Sequence, residues 1–201
     1  MSLTRRRFVA SAAMLGVPAS AIRAQTARTP TPGMTEGPFY PEAFTPEPQL
    51  KLMRGPLLGD ATALSLVGRV LDRFGRPIEA ARVEIWQCDA LGHYTHSRDS
   101  RVAGRDPNFA GFGWTRTDAA GGYAFETIRP APYPGRTPHI HFAVRAPKFS
   151  RLVTQMFVEG VAQNQSDFLY TAMAAAQRSL VTARLGGAGS GQRATFDLVL
   201  A

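Results

Sequence analysis

The sequence predicts an all-β chain: a single-domain antiparallel β-sandwich with long loops and one helix in its C-terminal region. Two observations predict it. Seven short segments carry apolar runs of strand length, and Gly-, Pro- or Asp-bearing turn signals separate them. Only one stretch has helical character. Ser166 or Asp167 can cap a run over residues 168 to about 185, closed by Gly186 and Gly187.

The first expected strand covers residues 63–71, with Leu64, Leu66 and Val70 among polar and small residues. A turn from Asp72 through Gly75 and Pro77 leads to a strand over 81–86, where Val83 and Ile85 alternate with Glu84. Strands over 113–117 and 123–128 pair as a hairpin across Asp118, Gly121 and Gly122. Those over 139–144 and 152–158 are joined by a turn containing Pro147, and residues 194–200 supply the last. Between Asp89 and Phe112 there is little strand pattern, but the stretch holds Gly92-His93-Tyr94-Thr95-His96 and several charges. A long ordered loop of this kind tends to be functional.

Residues 1–24 read as an export signal. Arg5-Arg6-Arg7-Phe8 precedes a short apolar run to Val17, and Ala19-Ser20-Ala21 or Ile22-Arg23-Ala24 offers a small-residue cleavage site. The paired arginines before Phe8 point to the twin-arginine route and a periplasmic address. Residues 25–58 form a proline-rich segment and residues 59–201 the β-sandwich domain. Within the former, Thr35-Glu36-Gly37-Pro38-Phe39-Tyr40-Pro41 excludes regular structure, and Phe39 and Tyr40 are large enough to anchor it.

The formal charge is +8; removing Arg5, Arg6, Arg7 and Arg23, with no acid, lowers it to +4. That balance gives a mild preference for anionic ligands and does not argue for nucleic acid. Cys88 is the sole cysteine, which rules out an internal disulfide and fits a small buried hydrophobe. No later apolar run is long enough to span a membrane.

The densest chemistry lies in Pro130-Ala131-Pro132-Tyr133-Pro134-Gly135-Arg136-Thr137-Pro138-His139-Ile140-His141-Phe142. In an extended strand His139 and His141 point to the same face, roughly 7 Å apart at Cα, while Ile140 faces the opposite side. Two imidazoles so placed can converge on one metal ion, although the pair also fits two half-exposed histidines. Tyr133 sits between two prolines that restrict its backbone. Arg136 sets a permanent positive charge beside the pair.

Taken in order, GHYTHSRD, DPNFAGFG, TDAAGGYAFETIRPAPYP, RTPHIHF and LVTQMFVEG resemble intradiol ring-cleavage dioxygenases, most closely the protocatechuate-cleaving β chains. The resemblance implies a mononuclear non-haem Fe(III) held by Tyr94, Tyr133, His139 and His141. It implies a small aromatic diol and O2 as substrates, with the ring opened between its two oxygen-bearing carbons to a muconate-type product. It further implies that Tyr133 is the ligand displaced by substrate, that Arg136 stabilises charge on the ring, and that Gln155 is a polar positioning group. His93 and His96 match no ligand position and read as loop residues near the mouth. Trp86 and Trp114 read as core or cavity wall.

Two departures from the family pattern stand out. The segment from Tyr133 to His139 is much shorter than in the protocatechuate enzymes, though six Cα steps still reach roughly 20 Å. A more open or differently shaped site follows. Nothing before Ala63 reads as the helical dimerisation segment of the catechol-cleaving branch, which leaves a homo-oligomer or an unlike subunit open. Two other readings remain. Gly68, Val70, Asp72, Gly75 and Pro77 also resemble transthyretin-like binding modules without catalysis, which lack the histidine pair and the tyrosine loops. A hydrolytic zinc site is the other, but zinc favours His, Cys and carboxylates over tyrosines.

Overall fold

A computed structural model describes residues 26–187 and 191–201; the export signal expected over residues 1–24 lies outside them. The regular structure of the described residues is mostly β, in two sheets. Strands β1 (Ala63–Leu71), β4 (Gly122–Ile128), β8 (Gly191–Thr195) and β9 (Leu198–Val199) make a four-stranded sheet around β1. The second has the order β3 (Phe112–Arg116), β2 (Arg82–Trp86), β5 (His139–Arg145), β6 (Leu152–Val158), β7 (Thr182–Ala183).

Alternation along the strands builds the core. Leu64, Leu66 and Phe125 from one sheet meet Val83, Ile85, Ile140, Phe142, Val144 and Met156 from the other in one buried cluster. Burying each large apolar side chain contributes about 1.5–3 kcal/mol, which fixes the register of both sheets. On β5 the second face is buried as well. His139, His141 and Ala143 point away from the core, and their burial comes from segments laid over the sheet. Residues 28–53 supply part of that cover. Met34 N donates to Val153 O at 2.7 Å, and Phe39 and Tyr40 pack against the buried cluster that holds Trp86 and Ala143.

The structure differs from the sequence expectation in three places. The sheets are not wholly antiparallel: β8 and β9 run parallel to β1, and β7 runs parallel to β6. The β6–β7 pair is parallel because a helical crossover joins them, the connection parallel strands require. The single expected helix is two short ones, α1 (Phe168–Thr171) and α2 (Ala175–Val181), and Thr182–Ala183, read as helix, is strand β7. Arg178 stabilises the break by donating to Met173 O at 2.9 Å and Thr171 O at 2.8 Å, carbonyls left free when the helix stops. The expected last strand is divided into β8 and β9, with Phe196 and Asp197 between them.

Gly68 explains that division. A Cβ there would overlap the Phe196 carbonyl oxygen and lie 2.7 Å from Tyr123 Oη. Only a bare Cα lets the chain pass so closely, and Tyr123 Oη then donates to Phe196 O at 2.5 Å. Gly68→Ala is therefore expected to destabilise the fold by about 1–3 kcal/mol, the usual cost of overpacking. Denaturant unfolding checks this; an unchanged midpoint would show that the crossing can relax.

Candidate metal centre

Strand register assembles one wall of the site. Trp86 on β2 pairs with His141 on β5, which pairs with Gln155 on β6, so three side chains stand in one row on the outer face of the five-stranded sheet. The Trp86 and His141 rings stack with centroids 4.7 Å apart and an interplanar angle of 12°. His139, two residues back, shares that face, and its Nε2 comes within 3.1 Å of His141 Nε2. The histidine tautomer is fixed on one side. His139 Nδ1 lies 2.6 Å from the Thr137 carbonyl, which can only accept, so Nδ1 carries the proton and Nε2 presents a lone pair.

The loop between Asp89 and Phe112 brings Tyr94 to this face, and two buried aspartates give it shape. Asp89 accepts from Leu91 N and His93 N through Oδ1 and from Asp106 N through Oδ2. Asp99 accepts Tyr94 N at 2.8 Å and Arg101 N at 2.9 Å. Gly92 lets the loop approach the Tyr133 segment: its φ is +79°, and a Cβ would sit 2.8 Å from Pro132 O. The Tyr94 ring then lies 5.4 Å from Tyr133 and 6.3 Å from His141, with Tyr133 5.5 Å from His139. All four candidate ligands named by the sequence come together.

Phe39 stacks on Tyr94 at 4.6 Å and packs edge-on against Tyr133 at 6.1 Å, closing the centre from the outside. Tyr40 anchors that segment, donating to the buried Glu84 carboxylate at 2.7 Å and packing on Trp86 at 5.0 Å. His96 is one ring further out, against Phe39 at 5.9 Å, and His93 packs against Gly104. Neither joins the four.

Arg136 completes the group. Its Nε donates to Asp167 Oδ2 at 2.8 Å, its Nη2 to Gln155 Oε1 at 2.5 Å and its Nη1 to Tyr133 Oη at 3.3 Å. Burial works against an ionised Asp167, but hydrogen bonds from Arg136, Tyr170 and Thr137 outweigh it and hold the carboxyl below the usual carboxylate range. Burial, helped by Arg136, brings His139 down to about 4. Burial and the neighbouring His139 hold His141 well below the ordinary histidine value. Both imidazoles are neutral at pH 7, the form that binds metals. Burial pushes Tyr94 well above the ordinary tyrosine value, and it raises Tyr133 against the pull of Arg136. The phenols therefore ionise only if a cation is bound beside them.

The donor set fits such a cation. Tyr94 Oη is buried with no hydrogen-bond partner among the described residues, a state that costs about 1–3 kcal/mol unless a ligand satisfies it. The two imidazole Nε2 atoms face each other at 3.1 Å, close enough to converge on one cation. Among the described residues no three His, Cys, Asp or Glu side chains are grouped for a metal ion, so a metal here draws on the tyrosines. That chemistry is unlike a zinc site.

Sequence reasoning missed three contributors. Trp86, read as wall, is the stacking partner of His141. Asp167, read as a helix cap, also holds Arg136. Asp99, which orders Tyr94, carried no motif. A buried acid opposite an arginine thirty-one residues away leaves no local pattern to find.

Two phenols and two neutral imidazoles cradled on a sheet define a candidate non-haem metal centre. A family model described as "Dioxygenase" matches residues 35–201. The chain is 46% identical over 114 residues to the protocatechuate 3,4-dioxygenase β chain of Burkholderia cepacia, a match covering 53% of this chain and 48% of that one. It is 34% identical over 182 residues to a hydroxyquinol 1,2-dioxygenase of Corynebacterium glutamicum, covering 79% and 57% respectively. The chain thus spans about half the length of the curated relatives it matches. Among solved structures, the dioxygenase domain of a dioxygenase and carbohydrate-binding protein fusion from Streptomyces sp. SirexAA-E aligns with a TM-score of 0.68 at 32% identity. That alignment covers 86% of this chain and 98% of the other. The chain belongs to the intradiol ring-cleavage dioxygenase family.

Proposed function

We propose that the chain binds one mononuclear non-haem Fe(III) through Tyr94, Tyr133, His139 and His141. On this reading it cleaves a catechol-type ring between its two hydroxylated carbons with O2, giving a muconate-type product. The observation that supports this most is the meeting of two phenols and two neutral imidazoles where Tyr94 Oη is buried without a partner. Hard phenolate oxygens suit a trivalent iron. When bound, Fe(III) supplies a Lewis acid for both catechol oxygens and makes the ring reactive toward O2.

The remaining work falls to this chain's side chains. Tyr133 Oη, the more exposed of the two phenols, takes up a proton from a substrate hydroxyl as the diol enters. Arg136, fixed from three sides, holds positive charge beside the ring where negative charge develops. Gln155 keeps the guanidinium in place. Phe39 and Trp86 exclude water from the Tyr94 and His141 sides. The two sheets act as the scaffold of a single-domain β-sandwich, and the arginine-rich leader exports it to the periplasm.

Oxygen uptake by the iron-loaded protein with catechol tests the reading. Consumption of one O2 per ring with a muconate-type product is expected; catechol left intact would refute it. Tyr133→Phe is a finer test. The variant is expected to retain some iron, with an altered spectrum and slower turnover, because the displaced ligand and proton acceptor is gone. An unaltered spectrum and rate would take Tyr133 off the metal.

A further inference from the structure

The side chains that line the recess beside Tyr133 include Tyr133, Arg136, Thr137, Gln163, Ser166 and Asp167. Only two of these side chains are charged, and they are bound to each other. Arg136 Nε and Asp167 Oδ2 are 2.8 Å apart, with the two side chains 8% and 0% exposed. Asp167 is saturated on both sides. Oδ2 also accepts Thr137 N at 3.0 Å, and Oδ1 accepts Leu169 N at 3.0 Å and Tyr170 N at 3.1 Å at the start of α1.

One carboxylate therefore ties the strand-entry segment that carries Arg136 to the first turn of the following helix. Gln155 holds a second edge of the guanidinium, and the Phe168 ring lies 5.4 Å from its carbon. Arg136 cannot swing out to meet an anion without leaving the buried Asp167 carboxylate without its counter-charge. A carboxylate brought into the recess would lose water and meet no unpaired cation, a penalty that disfavours burial of charge.

We propose that Asp167 is a positioning residue that locks Arg136 toward Tyr133 Oη and, by occupying its Nε edge while Gln155 holds Nη2, leaves no guanidinium edge free for a ring carboxylate, so that the site accepts diols without one over carboxylated ones. The proposal rests on the dioxygenase reading and deepens it by naming the charge class of the substrate. It departs from what the name of the Burkholderia relative suggests.

Anaerobic calorimetry on the iron-loaded full chain, with catechol and 3,4-dihydroxybenzoate as ligands, is the test. Wild type is expected to bind catechol at least about tenfold more tightly. Asp167→Asn keeps an oxygen for the helix cap but releases the Nε edge of Arg136 and loosens its aim at Tyr133, so the ratio is expected to fall by about tenfold while kcat for catechol also drops. A purely structural Asp167 would weaken both ligands alike and leave the ratio fixed. Equal affinities in wild type, or a ratio unmoved in the variant, would overturn the proposal. If Asn at 167 does not fold, the wild-type comparison alone decides. Failure of the functional reading shows separately, as no oxygen uptake with either diol whichever binds better.

Discussion

Replacing His141 by alanine is expected to abolish iron binding and all turnover. His141 is 2% exposed, lies against Trp86 and presents Nε2 beside that of His139, so its removal takes away one of the two imidazole donors on this face. Changes to groups that merely support a ligand commonly cost 10–100-fold in metal affinity, roughly the minimum loss expected here. Tyr94 and His139 are expected to behave alike, each supplying one of four protein donors. Metal analysis of the purified variant checks the result. Full iron occupancy in His141→Ala would remove His141 from the ligand set.

Arg136→Ala is expected to lower kcat by roughly 10²–10³, the usual scale for losing one preorganised electrostatic group. The guanidinium approaches Tyr133 Oη at 3.3 Å and is held there by Asp167 and Gln155, so its charge is in place before the ring reacts. Anaerobic catechol affinity is expected to change far less, because coordination of the two diol oxygens dominates binding. Titration without oxygen measures binding, and oxygen uptake at saturation measures turnover. A large loss of affinity with turnover at saturation intact would make Arg136 a substrate anchor and contradict its role in the reaction.

Most of the β architecture was legible because period-2 alternation is written in short runs. The strands over 63–71 and 152–158 match their expected bounds, and several others shift by a residue at an end. Direction of pairing was not legible. Nothing local in Gly191–Thr195 records that it will lie parallel to β1, since that follows from where the chain crosses between sheets. The helix over-extended for a related reason. Residues from Ala172 to Leu185 have ample helix formers, but Thr182 is held extended beside Phe157 by sheet pairing that propensity does not see.

At the site, the H-x-H spacing gave a shared face outright, and the structure brings His139 and His141 together as spacing requires. Tyr94 and Tyr133 came from the resemblance, because a tyrosine in a loop has no periodicity to interpret. Tertiary partners were the blind spot. Asp167 and Asp99 act through hydrogen bonds to backbone and arginine, and the Trp86–His141 stack depends on the β2–β5 register. Each of these is a property of two segments at once.

The visible spectrum of the purified, iron-analysed protein tests the central claim most directly. Two tyrosinates bound to Fe(III) give a strong ligand-to-metal charge-transfer band. The account predicts a burgundy protein with one iron per chain, whose band is lost when Tyr94 is replaced, is altered and weakened in Tyr133→Phe, and vanishes on unfolding. A protein that carries stoichiometric iron but is colourless would mean that neither phenol is on the metal, and would contradict the account.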